Sequence, residues 1–271
     1  MSAVSLDSPT SVARRSSPLW AVKDTFAIVG RNLTTIYRLP QLLVFSTIQP
    51  VIFVLMFRYV FGGAINIPGL TVPYVDYLMP GIFAQTVAFG AVNTAIGLAE
   101  DLQKGLIERF RSLPMARSAV MAGRTIADLV RDVFVVALMA IVGFLVGFRI
   151  HTNAFAFLGG ILVLLLFAFS LAWLFGFIGL ATGQAETAQA ASFPILAILT
   201  FASSAFVSPE TMPSWLQWFA ERQPLSITVD ALRACCIGGP TATKVFQSVL
   251  WSVVLIAVFA PIAVHKYRKV A

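Results

Sequence analysis

Apolar residues in this chain gather into runs too long for strands and too unbroken for the half-buried helices of a soluble domain. Six stretches, at residues 41–61, 77–99, 128–148, 154–181, 188–207 and 245–264, lie near the roughly 20 residues that cross a hydrocarbon core of about 30 Å at 1.5 Å per residue. They predict six transmembrane helices. The fourth run is the longest, and is expected to tilt or to break near Gly176 and Gly179. Ahead of the first, the pattern is different. Between residues 18 and 38, Val22, Phe26, Val29, Leu33 and Ile36 recur at intervals of four and three, with Lys23, Arg31 and Arg38 on the opposite side of the wheel. This predicts an amphipathic interface helix lying in the membrane surface with its cations toward headgroups or a cytoplasmic partner. Residues 1–17 are Ser-rich without an apolar run and read as a disordered cytoplasmic tail, not a cleaved signal peptide.

Between the fifth and sixth runs, residues 213–237 predict two short helices parted at Gln223-Pro224. Trp215, Leu216, Trp218 and Phe219 fall on the first, and Leu225, Val229, Leu232 and Cys236 form one stripe on the second. Both are too short to cross, and tryptophan favours headgroup depth. Two arrangements fit. The pair dips into the outer leaflet and returns, or it caps the surface of the bundle.

Composition agrees with the pattern. The chain is 58% hydrophobic and 11% charged, with a mean hydropathy of +0.86. A soluble domain of this size needs a hydrated surface and about a quarter charged residues. The fold class is therefore an all-α integral membrane protein. A net charge of +7 raises the question of nucleic acid, but the cations sit at the ends of apolar runs, where retention on the cytoplasmic side puts them. Arg14, Arg15, Lys23, Arg31 and Arg38 precede the first run, Lys104, Arg109, Arg111, Arg117 and Arg124 lie between the second and third, and Lys266, Arg268 and Lys269 follow the sixth. Those segments are expected to be cytoplasmic, both termini included, with lipid rather than nucleic acid as the surroundings.

The chemistry of an engine is missing. No G-x-x-x-x-G-K-[ST] phosphate loop and no Gly-Lys pair occur anywhere. Coupling to protons or sodium calls for acids buried among the spans, and the predicted span interiors contain none. Asp128 and Asp132 fall at the mouth of the third run, within helical reach of Arg124 and Arg131, which favours ion pairing over proton relay. His151 and His265 are predicted on opposite sides of the bilayer as interface residues. Cys235 and Cys236 are neighbours, too close to bridge without strain, and read as small apolar residues. No catalytic, cofactor or metal site is expected in this chain. The polar residues within the runs, Gln49, Gln85, Asn93, Thr200, Ser203 and Ser204, either face a cavity or hydrogen-bond between spans, the second being the better reading for most.

Two stretches carry a family resemblance: "EDLQKGLIERFRSLPMARSAVMAGRTIADLVRD" from Glu100, and "PSWLQWFAERQPLSITVDALRACCIGGP" from Pro213. They resemble the membrane subunits of type-2 ABC exporters, most closely the daunorubicin-resistance permease group, and the order of elements agrees over nearly the whole chain. The resemblance implies six spans, an outer re-entrant helix pair, a second permease copy or paralogue, and two copies of a cytoplasmic ABC ATPase that carries the ATP and Mg. It also implies a coupling helix at about 100–112. There Leu102, Leu106 and Phe110 share a face, Lys104 and Glu108 can pair, Arg109 and Arg111 flank them, and Pro114 ends the turn. Such a helix is a docking knob for an ATPase groove; the plainer reading is a solvated basic loop that only sets topology. The function so implied is the permease of an ATP-driven exporter in the bacterial cytoplasmic membrane, moving an amphipathic drug, antibiotic or lipid. The alternatives are a polysaccharide or glycolipid exporter of the same superfamily, and a non-transporting membrane scaffold for a cytoplasmic complex.

Overall fold

The computed structural model describes residues 30, 40–62, 72–105 and 117–270. Among them the apolar runs are helices and no strand occurs. Helix α1 is Pro40–Leu55 and passes into a π-helical turn, Met56–Val60; α2 is Tyr74–Gln103, α3 Arg117–Val146, α4 Ala154–Thr182 and α5 Ala185–Phe201. After a 3-10 turn at Pro209–Thr211 come α6, Ser214–Arg222, α7, Pro224–Ile237, and α8, Thr241–Val270. Four helices are long and apolar enough to cross a membrane: α2, α3 from Ala122, α4, and α8. Thr47–Val60 and α5 are shorter apolar helices. Of the interface helix expected at 18–38, Gly30 is described, as an exposed helical residue, whereas Lys23, Arg31 and Arg38 lie outside the described residues, as does the tail.

Helix ends follow backbone chemistry. Asn153 caps α4 by accepting the Ala156 N–H at 2.7 Å, and Gly183 closes it at φ 70°, a left-handed conformation that costs glycine nothing. Of the two outcomes expected for the long fourth span, tilt or a broken end, the break does not occur: α4 is continuous past Gly176 and Gly179. Gly179 serves close packing instead. A Cβ there would fall on the Ala95 carbonyl and 2.9 Å from the Ala95 Cα, so the backbones of α4 and α2 touch only because the side chain is missing. In lipid, where apolar burial supplies little drive between helices, such backbone approach is what holds them together.

Helices α2 and α4 form the middle of the bundle. The most apolar window of α2 is 72% buried and that of α4 61%, against 28% for α3 and 11% for α8. Fully buried Phe83, Phe148, Phe167 and Phe175 fill the space around them. The outer helices expose Phe134, Ile141, Phe193, Ile198 and Phe246, an apolar surface suited to lipid.

Several boundaries differ from those the sequence predicts. α2 starts at Tyr74 and not 77, bringing Asp76 into its first turn, and it runs on to Gln103, so that Glu100 to Gln103 close this helix and do not open a separate one. α3 starts at Arg117, well before 128. α5 ends at Phe201 and not 207, because side chains from α7 and the residue before it take over the backbone bonding. Gln223 Nε2 donates to the carbonyls of Leu199 and Ala202, both at 2.9 Å, and Ser226 Oγ accepts the Ser204 N–H at 3.0 Å. The predicted stripe Leu225, Val229, Leu232 and Cys236 has no exposed surface, and the opposite side of α7, with Ser226, Thr228 and Arg233, is buried as well. Trp215 and Trp218 of α6 stand exposed.

Candidate functional site

Charged residues that a membrane would reject are collected at two places along α2. The first is the seam with α3 toward the Lys104 end. Arg124 Nη1 donates to Asp101 Oδ2 at 3.1 Å and its Nε lies 3.7 Å from Asp128 Oδ2. Arg131 Nη1 lies 3.3 Å from Asp128 Oδ1, and its Nη2 donates both to Asp132 Oδ1 at 3.1 Å and to the Gly90 carbonyl at 2.9 Å. Thr94 Oγ1 donates to Asp128 Oδ2 at 2.7 Å. Every one of these charges has a partner of opposite sign, the condition under which buried ions are tolerated.

The second cluster is at the other end of α2. Asp76, which is buried, accepts the Arg149 backbone N–H at 2.8 Å and meets His151 Nε2 at 2.7 Å. The same turn is tied to α7, since the His151 N–H donates to the Cys236 carbonyl at 2.8 Å and Thr152 Oγ1 donates to the Cys235 carbonyl. At the next residue of α2, the Arg233 guanidinium stacks over the Tyr77 ring at 3.5 Å from its centroid. It donates to the Tyr77 carbonyl at 3.1 Å, the Ser204 carbonyl at 2.9 Å and Asp230 Oδ1 at 3.1 Å, while Lys244 Nζ reaches Asp230 Oδ2 at 3.2 Å.

The acids at the ends of the predicted runs are buried in the bundle, each with a partner. Asp76, Asp128 and Asp132 are all buried within helices that belong to the bundle. The ion pairs within α3 follow from i,i+3 and i,i+4 spacing, but the longer α3 carries them deeper than a run beginning at 128 suggests. His151 and His265 are both exposed, and His151 is in addition paired with Asp76. Cys235 and Cys236 are free and buried. Among the described residues no group of His, Cys, Asp and Glu has the arrangement of a metal site.

The remaining candidate residues are dispersed. Leu102 belongs to the last turn of α2, and Lys104 caps it, with its Nζ on Glu100 Oε2 at 2.8 Å; the Glu100 carboxylate holds the Lys104 ammonium above the usual lysine range. Leu106, Glu108, Arg109, Phe110 and Arg111 lie outside the described residues. Gln49 and Asn93 are exposed, whereas Gln85, Thr200, Ser203 and Ser204 are buried. Ser204 bonds across to Asp230 at 3.0 Å, Ser203 donates to the Thr200 carbonyl at 2.5 Å, and Gln85 Oε1 and Thr200 Oγ1 have no hydrogen-bond partner. Missed by sequence reasoning were Asp76, Asp101, Arg233 and the glycines at 90 and 97. For the glycines a signal existed: they are seven residues apart, as are Arg124 and Arg131.

The chain has relatives among known proteins. Residues 23–237 match the model of the ABC-2 type transporter family. The chain is 34% identical, over 96% of its length and 91% of the relative's, to a daunorubicin resistance ABC transporter permease protein of Streptomyces coeruleorubidus. It is 28% identical, over 83% of its length and 81% of the relative's, to a doxorubicin resistance ABC transporter permease protein of Mycobacterium tuberculosis.

Proposed function

The chain belongs to the ABC-2 type transporter family, and from that membership we propose that it is the membrane-spanning subunit of an ATP-driven drug exporter. The observation that carries the proposal is the 34% identity, over nearly the whole chain, to a permease concerned with daunorubicin resistance. A separate cytoplasmic ATPase supplies the energy. Two copies of it work on two permease subunits, the second being another copy of this chain or a paralogue.

In this reading six helices cross the bilayer, and the Lys104 end of α2 faces the cytoplasm. Lys104, Arg109, Arg111 and Arg117 crowd the α2–α3 connection, whereas the α3–α4 turn has Arg149 alone, the asymmetry that retention of cations inside produces. The deep burial of α7 beside the exposed tryptophans of α6 supports a re-entrant pair in the outer leaflet. Residues 104–112 form the surface on which the ATPase presses, with Leu106 and Phe110 as its apolar ridge and Arg109 and Arg111 as its charged flank. The amphipathic helix with Lys23, Arg31 and Arg38 lies along the inner membrane surface as the other side of that contact.

The cargo is an amphipathic molecule taken from the inner leaflet or the cytoplasm. Gln85 and Thr200 are the best candidates for contact with it, since each has a buried polar atom that no group of this chain satisfies. Gln49 and Asn93 are exposed for a second subunit or cargo to reach.

The test is turnover in liposomes containing the full-length chain and its copurified ABC ATPase, with doxorubicin as the probe. ATP hydrolysis should rise with doxorubicin and the drug should be moved. The pair Arg109→Glu and Arg111→Glu should insert normally, keep ATP turnover and lose drug movement. Full drug movement in that double variant removes the docking role, and a chain that moves doxorubicin uphill without any ATPase removes the proposal as a whole.

A further inference from the structure

Two spacings match across the α2–α3 seam. Arg124 and Arg131 are seven residues apart, and so are Gly90 and Gly97. The two helices run antiparallel, so the earlier arginine meets the later glycine. A Cβ on Gly97 would fall inside the Arg124 guanidinium. A Cβ on Gly90 would lie 2.7 Å from Asp132 Oδ1 and 3.2 Å from Arg131 Nη2. The glycines are thus seats cut into α2, about 10 Å apart at 1.5 Å rise per residue: Gly97 admits the Arg124 guanidinium, and Gly90 admits Arg131 together with the Asp132 carboxylate.

Such a seam resists sliding. Moving α3 past α2 by one turn, about 5.4 Å, would lift both arginines from their seats and part Arg124 from Asp101. Arg131 would leave the Gly90 carbonyl and Asp128 would leave Thr94. Unpaired charge inside a bundle is strongly unfavourable. The contact between α2 and α5 has no such lock. Neither helix carries a Lys or Arg, so no ion pair can join them.

At its far end α2 is pinned again. Arg233 grips the Tyr77 carbonyl and stacks on its ring, and the Tyr74 hydroxyl donates to the Phe206 carbonyl at 3.2 Å. α2 is therefore held at a point near Tyr74 and Tyr77, joined to α3 along its other half, packed on α4 there by apolar and backbone contact at Ala95 and Gly179, and unlocked against α5.

We infer that Arg124 and Arg131 are positioning residues of the transport stroke. They clamp the Lys104-side halves of α2 and α3 into one lever, so that a push on residues 104–116 turns both helices together about the Tyr77 end and is relieved at the α2–α5 contact. The inference rests on the reading that the ATPase presses on that connection, and its test separates the two.

Spin labels are placed on the full-length chain at Asn93 and Val133, exposed positions of α2 and α3, and in a second sample at Asn93 and Phe193 of α5. Distances are measured with the ABC ATPase bound, nucleotide-free and after trapping with ATP and vanadate. The Asn93–Val133 distance should stay the same and the Asn93–Phe193 distance should change. Arg124→Ala removes the clamp and Gly97→Leu removes only its seat, leaving every charge in place. Both should broaden the nucleotide-free Asn93–Val133 distribution and lower the doxorubicin moved per ATP by about tenfold, within the range that coupling residues command.

A change in the wild-type Asn93–Val133 distance on trapping overturns the lever. So does a narrow distribution in both variants, or an unchanged transport ratio in both. If trapping moves no distance and doxorubicin never stimulates hydrolysis, the docking reading fails instead, and the nucleotide-free distributions of the two variants still decide the clamp.

Discussion

Replacing Asp76 isolates the tie between the start of α2 and the α3–α4 turn. Its carboxylate accepts the Arg149 N–H at 2.8 Å and meets His151 Nε2 at 2.7 Å, and its side chain is 1% exposed. Asp76→Ala strands both partners. A hydrogen bond to a charged group contributes about 1.5–3 kcal/mol; the His151 side chain is 38% exposed, so water recovers part of its bond. The sum expected is about 2–4 kcal/mol of destabilisation. Asp76→Asn keeps an oxygen for the Arg149 N–H and a polar group toward His151, and should cost about 1 kcal/mol. In detergent, thermal unfolding followed by loss of the monodisperse peak should put the Ala variant about 5 °C or more below wild type, with the Asn variant between them. The turn 147–153 should also exchange its amide hydrogens faster in the Ala variant, since its ties to Cys235 and Cys236 share the strain. If Ala and wild type melt together, Asp76 is no tie at all; if Asn falls as far as Ala, the charge and not the hydrogen bonding is what the site requires.

Two further outcomes follow from packing. Gly179→Ala drives a Cβ onto the Ala95 backbone, which cannot yield as a side chain would, and should destabilise by about 1–3 kcal/mol. Gly159→Ala in the same helix meets nothing within 4 Å and should be neutral or slightly stabilising in the same melting assay. Arg233→Met leaves the carbonyls of Tyr77 and Ser204 without their donor and Asp230 with Lys244 alone, and amide exchange at residues 202–207 should quicken. Arg233→Lys should not restore the wild-type rate, because an ammonium can neither stack on Tyr77 nor span three acceptors.

The helices were legible because their cause is local. A run of about 20 apolar residues can cross a bilayer only as a helix, and the buried stripe of α7 follows from spacing within one segment. The ends were not legible, because what sets them lies elsewhere in the chain. Asp76 reads as a loop residue until His151, 75 positions away, supplies its partner. The carbonyls at the end of α5 are taken by Gln223, 24 and 21 residues on, and no window of sequence around Phe201 contains that fact. Local pairing within α3 was readable from the spacing of Arg124 and Asp128, yet it says nothing about Asp101 or Thr94 on the neighbouring helix.

Between these extremes stands the matched spacing of Gly90 with Gly97 and Arg131 with Arg124. Each pair alone is ordinary, since glycines are common in membrane helices and arginines are common near their ends. Together they fix a register: both cross-helix contacts pair positions whose numbers add to the same sum, 90 with 131 and 97 with 124, which is what an antiparallel pair without slippage requires. A hydrophobicity profile is blind to this, because it averages each residue with its neighbours in sequence, whereas the energy of a buried arginine depends on the hole and the carboxylate across the seam. The seam is thus written in the relation between two helices and in neither helix alone, because a charged residue in a medium that excludes it is stable only where the neighbouring helix offers a seat and a counter-charge.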